Sequence, residues 1–275
     1  MSTEVGPNTP LAFGLIGLGR IGGRVAEHFA RDPTGPQLTA VLVRPVHERA
    51  AAAFIDHALI CTSIDAFVAR QPHVAVECAS QEALRAYATQ VLASGIDLIP
   101  LSLAALANRN TELQIMTAAM SGPGRLEVPA GAIGALDVLA AAREDDLSCV
   151  TFRAAYPAVA WRHTAAATML NLDSVTCRTT FFRGSVRDIA SLFPRHVNVA
   201  VGVALAGLGL DATKAELSAD SALSQAEFEL DIVAGPGVVE LRVRGRAAPL
   251  GADPIDYTAF SILRLLRRRQ ARVMI

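Results

Sequence analysis

A glycine-rich turn near the N-terminus constrains this chain more than any other feature. Gly17-Leu18-Gly19-Arg20-Ile21-Gly22 follows the apolar run Leu11–Ile16 and leads into Ile21–Ala30, which reads as a helix. A strand, a G-x-G-x-x-G turn and a helix in that order make the fingerprint of a dinucleotide-binding βαβ unit. Gly17 permits the tight turn, Gly19 lets a pyrophosphate approach the backbone, and Gly22 lets helix and strand pack closely. The helix N-terminus supplies free N–H groups and a partial positive charge to an anion, and Arg20 and Ile21 join the glycines as expected cofactor-binding residues. A glycine-rich turn without a ligand is the plainer alternative, and its placement between strand and helix argues against it.

The first half of the chain continues the alternation. Leu38–Val43, Val74–Cys78, Leu98–Pro100 and Arg125–Pro129 read as strands, with His47–Phe54, Glu82–Ser94 and Leu113–Met120 as helices. That pattern predicts an α/β fold with a parallel sheet and crossover helices on both faces. The second half differs. Val150–Ala155, Ser174–Gly184, Glu227–Val233 and Val238–Arg244 have strand character, separated by helical Val186–Leu192 and Asn198–Gly207. It predicts an α+β domain with a mostly antiparallel sheet. Asp256–Arg267 reads as a terminal helix followed by a strand, Ala271–Ile275. The expected organisation is a Rossmann-type dinucleotide-binding domain, residues 1–128 plus 252–275, and a substrate and dimerisation domain, residues 129–251.

Composition excludes several classes. In 275 residues, 52% are apolar and the formal net charge is -1. A chain this long and apolar can bury a core, so disorder is excluded. Without a basic excess it is not expected to bind nucleic acid or to anchor electrostatically to a membrane. The greasiest stretch, Val197–Leu210, is too short to span a bilayer. Cys61, Cys78, Cys149 and Cys177 form no C-x-x-C pair, so neither a metal site nor a disulfide framework is expected. The polar N-terminus lacks a signal peptide's basic and apolar regions, and the protein is expected to be cytoplasmic.

The end of the second strand bears on the nucleotide. An acidic residue there bonds the adenosine ribose, whereas an arginine accommodates a 2′-phosphate. Arg44 stands there, followed by His47 and Arg49. NADP, or NADP alongside NAD, is the functional reading; a solvated strand-end charge is the plain one.

From Leu11 to Ile275 the chain resembles the L-aspartate dehydrogenase family. The resemblance rests on Glu77-Cys78-Ala79, Gly131-Ala132-Ile133-Gly134-Ala135-Leu136-Asp137, and Asn198-Val199-Ala200 leading into Leu205–Asp211. Phe193-Pro194, Ala219-Asp220 and Asp253-Pro254 also correspond. It implies a Rossmann domain joined to a substrate domain, a homodimer, and NAD(P)-dependent oxidation of L-aspartate to iminosuccinate. It also implies cofactor contacts by Ala79, by the backbone around Ala132 and by the side chain of Asn198, the last two at the nicotinamide. Asn198 precedes an apolar helical run, so it could equally serve as a helix cap.

The chain departs from that family where proton chemistry resides. The family's A-D-P-x-x-x-x-N-x-H segment reads Ala219-Asp220-Ser221-Ala222-Leu223-Ser224-Gln225-Ala226-Glu227-Phe228, with Phe228 at the histidine position. A phenyl ring cannot transfer a proton, whereas an imidazole titrates near neutrality. The family's R-K-P and N-P-K-T-S elements read Ala155-Tyr156-Pro157 and Asp253-Pro254-Ile255-Asp256-Tyr257, each losing a cation suited to a carboxylate. Three side chains could supply a proton donor instead: His163 with Arg162 beside it, His196 two residues before Asn198, and Tyr156. Each has a packing or surface role as its alternative.

Two functions fit these residues. One is an NAD(P)-dependent oxidoreductase transferring hydride to or from a small amino acid, imine or ketone. The other is a cofactor-binding homologue without chemistry, acting as a sensor or partner protein.

Overall fold

The computed structural model describes residues 10–246 and 257–274. The chain divides into two units, one running to Pro129 and resuming at Thr258, the other spanning Ala130–Tyr257.

The first unit is built on β1 (Ala12–Ile16), α1 (Arg20–Ala30), β2 (Gln37–Leu42), α2 (Glu48–Ala52), β3 (Ile60–Cys61), α3 (Ile64–Ala69), β4 (Val74–Glu77), α4 (Gln81–Ala93), β5 (Asp97–Pro100) and α5 (Arg109–Ser121). Its five strands pair in the order β3-β2-β1-β4-β5, all parallel. Strands covered on both faces read as continuous apolar runs rather than alternating ones. On one face Phe13, Leu15, Val41, Val74, Val76 and Ile99 meet Val25 and Phe29 of α1. The terminal helix, Tyr257–Arg268, adds Ile262, Leu263 and Leu266 to the same cluster. On the other face Gly14 admits the Phe67 ring of α3, so close that a side-chain carbon at residue 14 would stand 2.5 Å from it. Ser63, Ser80 and Asn108 cap α3, α4 and α5, each side-chain oxygen accepting first-turn N–H groups.

Two expected strands differ. Residues 125–129 form only a single bridge, Leu98 to Leu126, because Pro129 lacks an N–H to extend a ladder. Residues 271–274 are not a strand. Just before them Arg269 instead pairs with Asp97 at 2.6 Å and with Glu127.

The second unit contains α6 (Leu136–Ala142), β6 (Leu147–Pro157), α7 (Ala166–Met169), β7 (Thr179–Ser185), α8 (Val186–Leu192), α9 (Asn198–Ala206), β8 (Lys214–Asp220), β9 (Glu227–Ala234) and β10 (Gly237–Arg244). The sheet order is β10-β9-β6-β8-β7, antiparallel except for the β6–β8 pair. Its faces segregate by the two-residue period. Phe152, Ala154 and Tyr156 share one face with Leu217 and Phe228, their cross-strand neighbours. Arg153, Glu216, Glu227, Glu229, Arg242 and Arg244 fall on the other, where arginines and carboxylates interleave. Residues 174–178 do not join β7, whose register shifts between Thr180 and Phe182; both Phe181 and Phe182 consequently lie against Phe193.

Among the described residues no helix is long and apolar enough to cross a membrane. Cys61, Cys78, Cys149 and Cys177 are free thiols.

Candidate functional site

In the first unit, the turns at the C-terminal ends of β1 and β4 meet. Gly17 adopts φ +99°, and a Cβ there would lie 2.7 Å from Ala79 Cβ. A Cβ at Gly22 would lie 2.5 Å from the Gly17 carbonyl oxygen and 2.8 Å from Cys78 Sγ. Gly19 differs from both, since a Cβ there would meet nothing within 4 Å. One side of the turn is therefore jammed against protein and the other is open. Gly19 is also the N-cap of α1, without a side-chain cap and with no acidic residue in the first turn. Arg20 and Ile21 begin the helix over that open side, Arg20 exposed and Ile21 half-buried.

The β4 end carries a group that sequence reasoning missed. Glu77 is fully buried, and its carboxylate accepts from the N–H groups of Ala79 (2.9 Å), Ser80 (3.0 Å) and Ser102 (3.0 Å) and from the Ser102 hydroxyl (2.9 Å). Burial pushes its pKa up, and these four donors oppose that. The Cys78 thiol donates to the Gly17 carbonyl at 3.2 Å. Burial raises the Cys78 pKa, reinforced by Glu77, so the thiol stays protonated and inert. A single carboxylate thereby fixes the turns after β4 and β5. The signal was present: Glu77 is the one charged residue in the apolar run Val74–Cys78.

Arg44 is exposed just past β2, and its guanidinium lies 2.6 Å from His47 Nε2. Two basic side chains thus share one spot at the strand end.

In the second unit, Gly131 and Gly134 take φ +60° and +73°, and Ala135 is left-handed at +55°. A left-handed alanine is strained, which makes this turn an over-determined one. It seats Ala132, which is buried, and brings Gly131 to the Val199 side chain, where a Cβ would lie 3.9 Å from Cγ2. The Ala132 turn and the start of α9 are therefore neighbours. The capping alternative for Asn198 fails, because Val197 is the N-cap and makes no side-chain bond. Asn198 is the first helical residue.

Phe228 is buried in an aromatic cluster. Its ring stacks on Phe152 at 5.9 Å and meets Tyr156 edge-on at 5.9 Å. Tyr156 in turn contacts Trp161 at 5.2 Å and His196 at 5.1 Å, and its hydroxyl donates to the His196 carbonyl at 2.8 Å. His163 is exposed beyond Trp161, and the adjacent Arg162 pairs with Asp173 at 2.8 Å. The structure brings Tyr156, His196 and Phe228 together and leaves His163 outside that cluster. Residues 253–256, where a second cation is lost, lie outside the described residues.

Residues 137–269 match the family model "Aspartate dehydrogenase, C-terminal", and residues 17–129 match "Homoserine dehydrogenase, NAD binding domain". The chain is 36% identical to an L-aspartate dehydrogenase of Ruegeria pomeroyi, over 94% of this chain and 92% of that one. It is 35% identical to one of Ralstonia nicotianae, over 95% and 98%. The crystal structure of aspartate dehydrogenase from Thermotoga maritima shares the fold, with TM-score 0.72 and 24% identity over 96% of this chain and 99% of that one.

Proposed function

The chain belongs to the aspartate dehydrogenase family, and we propose that within it this protein moves a hydride at the carbon of a small amine–imine pair whose imine is less anionic than iminosuccinate. The protein is an NAD(P)-dependent oxidoreductase by its family and by its nucleotide-binding domain. The open side of the Gly19 turn suits the close approach of a dinucleotide's pyrophosphate, since a Cβ there would meet no protein atom within 4 Å. When bound, the nicotinamide supplies the hydride acceptor or donor.

The chain's own residues hold and orient that cofactor. Gly17 and Gly22 keep the turn closed on Ala79 and Cys78, while the amides of Arg20 and Ile21 face the pyrophosphate. Arg44, with His47 beside it, takes the adenosine 2′-phosphate of NADP. The Ala132 backbone and the Asn198 side chain receive the nicotinamide, as the resemblance implies. Residues 1–128 plus 252–275 serve as the cofactor domain and 129–251 as the substrate domain.

The observation that carries the substrate reading is the surroundings of Phe228. Where the family has an imidazole, this chain has a buried ring packed on Phe152 and Tyr156. Desolvated aromatic walls penalise a dicarboxylate and favour an apolar substrate. Hydride addition to an iminium carbon needs orientation and electrostatics above all. We further propose a cytoplasmic homodimer acting on a small molecule, with no nucleic-acid or membrane partner; light scattering tests the dimer. Steady-state assay of L-aspartate, oxaloacetate with ammonia, and cyclic and aliphatic imines, each with both cofactors, tests the reaction. Faster turnover of an uncharged imine than of iminosuccinate is expected. Tight cofactor binding with no turnover of any of them overturns the reading in favour of a sensor.

A further inference from the structure

Tyr156 contacts both Phe228 and His196, meeting their rings edge-on at 78° and 88°. The position of the family's lost imidazole and the ring of His196 therefore share one phenol neighbour. His196 is firmly held. Trp161 lies 4.8 Å from its ring at a tilt of 34°, and the Tyr156 hydroxyl holds its carbonyl oxygen. The side chain is half-buried, yet its Nδ1 is fully buried with no hydrogen-bond partner. An unpartnered buried polar atom costs stability and calls for an explanation. His196 also lies in the turn entering α9, two residues before Asn198.

We infer that His196 is the proton-transferring residue of this site, replacing, next to Tyr156, the imidazole that Phe228 has displaced. The inference rests on the dehydrogenase reading above. In the oxidative direction the neutral imidazole removes one proton from the substrate ammonium. The nitrogen lone pair so freed forms the C=N bond as the Cα–H electron pair leaves as hydride to the nicotinamide. In reverse, the imidazolium returns that proton to the amine nitrogen once hydride has reached carbon. The groups acting on the ring suit a base at neutral pH. Burial lowers its pKa first, and the Arg195 guanidinium from its own turn lowers it further. Tyr156 from β6 is the titratable group packed on it, and Trp161 brings no charge.

The test uses His196→Phe, which keeps a ring in the aromatic packing, and His196→Gln, which keeps a polar atom. Wild-type kcat for amine oxidation should fall on the acid side with a midpoint below that of an ordinary histidine. The same midpoint should appear in the NMR titration of the ring proton signal that His196→Gln removes. Both variants should lose about 10²–10⁴-fold in kcat and lose the acid limb, with cofactor Kd unchanged. Adding Phe228→His to His196→Phe should restore the limb and part of the rate. Variants within threefold of wild type, or an acid limb that survives in either, overturn the role of His196 alone. If one variant fails to fold, the other and the wild-type NMR midpoint decide. A wild-type protein that turns over no substrate overturns the functional reading as well.

Discussion

A side-chain carbon on Gly17 would stand 2.7 Å from Ala79 Cβ, so the turns after β1 and β4 touch only because residue 17 has none. Behind Ala79, the Glu77 carboxylate accepts its N–H and those of Ser80 and Ser102. The turn is thus braced from the protein side, and its open side, above Gly19, faces solvent. This division gives glycines two residues apart opposite consequences on substitution.

Gly17→Ala should destabilise the fold and Gly19→Val should not. The first combines φ +99° with a clash against backbone and Cβ of Ala79, which together cost about 2–4 kcal/mol. The second sits at φ −82°, where any residue is at ease, in open space. Thermal unfolding should show a lowered Tm for Gly17→Ala only, while titration shows NAD(P) binding lost in Gly19→Val. A Gly19→Val protein with normal cofactor affinity would remove the turn from the binding site.

Arg44→Ala should shift the cofactor ratio. A charge-assisted contact to the 2′-phosphate is worth roughly 1.5–3 kcal/mol, or about 10- to 150-fold in NADP affinity, with NAD affinity little changed. Fluorescence titration of both cofactors against both proteins measures this. An unaltered NADP/NAD ratio would make Arg44 a solvated charge.

Glu227 should confer stability that disappears in acid. Its side chain is fully buried beneath Arg178, Arg242 (2.6 Å) and Arg244 (2.5 Å). Burial opposes its ionisation, but hydrogen bonds from the three arginines overcome it and hold the pKa at about 2. A carboxylate depressed in the folded state contributes above its unfolded pKa of about 4.3, and that contribution fades as pH falls toward 2. Glu227→Gln should therefore unfold at lower temperature than wild type at pH 7, with the gap narrowing across pH 4 to 2. A gap independent of pH would mean that packing, not charge, is lost.

What could be read from residues, and what could not, divides along physical lines. β1, α1 and β2 were legible because an apolar run, three glycines at fixed spacing and an amphipathic helix agree with one another. β8 was not, because Lys214-Ala215-Glu216-Leu217-Ser218-Ala219-Asp220 contains no β-branched or aromatic residue; its strand state comes from pairing with β6 and β7. At the site, Phe228 stood out at once by its alignment to a family motif. Its consequence did not, since the contact of Tyr156 with both Phe228 and His196 joins residues up to 72 positions apart. Glu77 likewise stood only as one residue of a family motif until its partner Ser102, on the next strand's turn, was in view.

The last expectation concerns L-aspartate itself. Phe228 is buried against Phe152 and Tyr156, so no proton passes through that position. With cations absent at Tyr156 and Ile255, a dicarboxylate is poorly held and oxidation of L-aspartate should be slow. With His196 moving the proton, the deficit against an ordinary dehydrogenase should lie in binding and orienting the dicarboxylate, read as a raised KM for L-aspartate. Phe228→His alone should recover only part of it. The new imidazole would enter an apolar cluster, where desolvation depresses its pKa, and the carboxylate-binding cations would still be missing. Steady-state kinetics with L-aspartate on both proteins measures the effect. Oxidation by the unmodified protein at rates normal for a dehydrogenase would show that a dicarboxylate is bound and deprotonated without residue 228, and would refute the apolar-substrate reading.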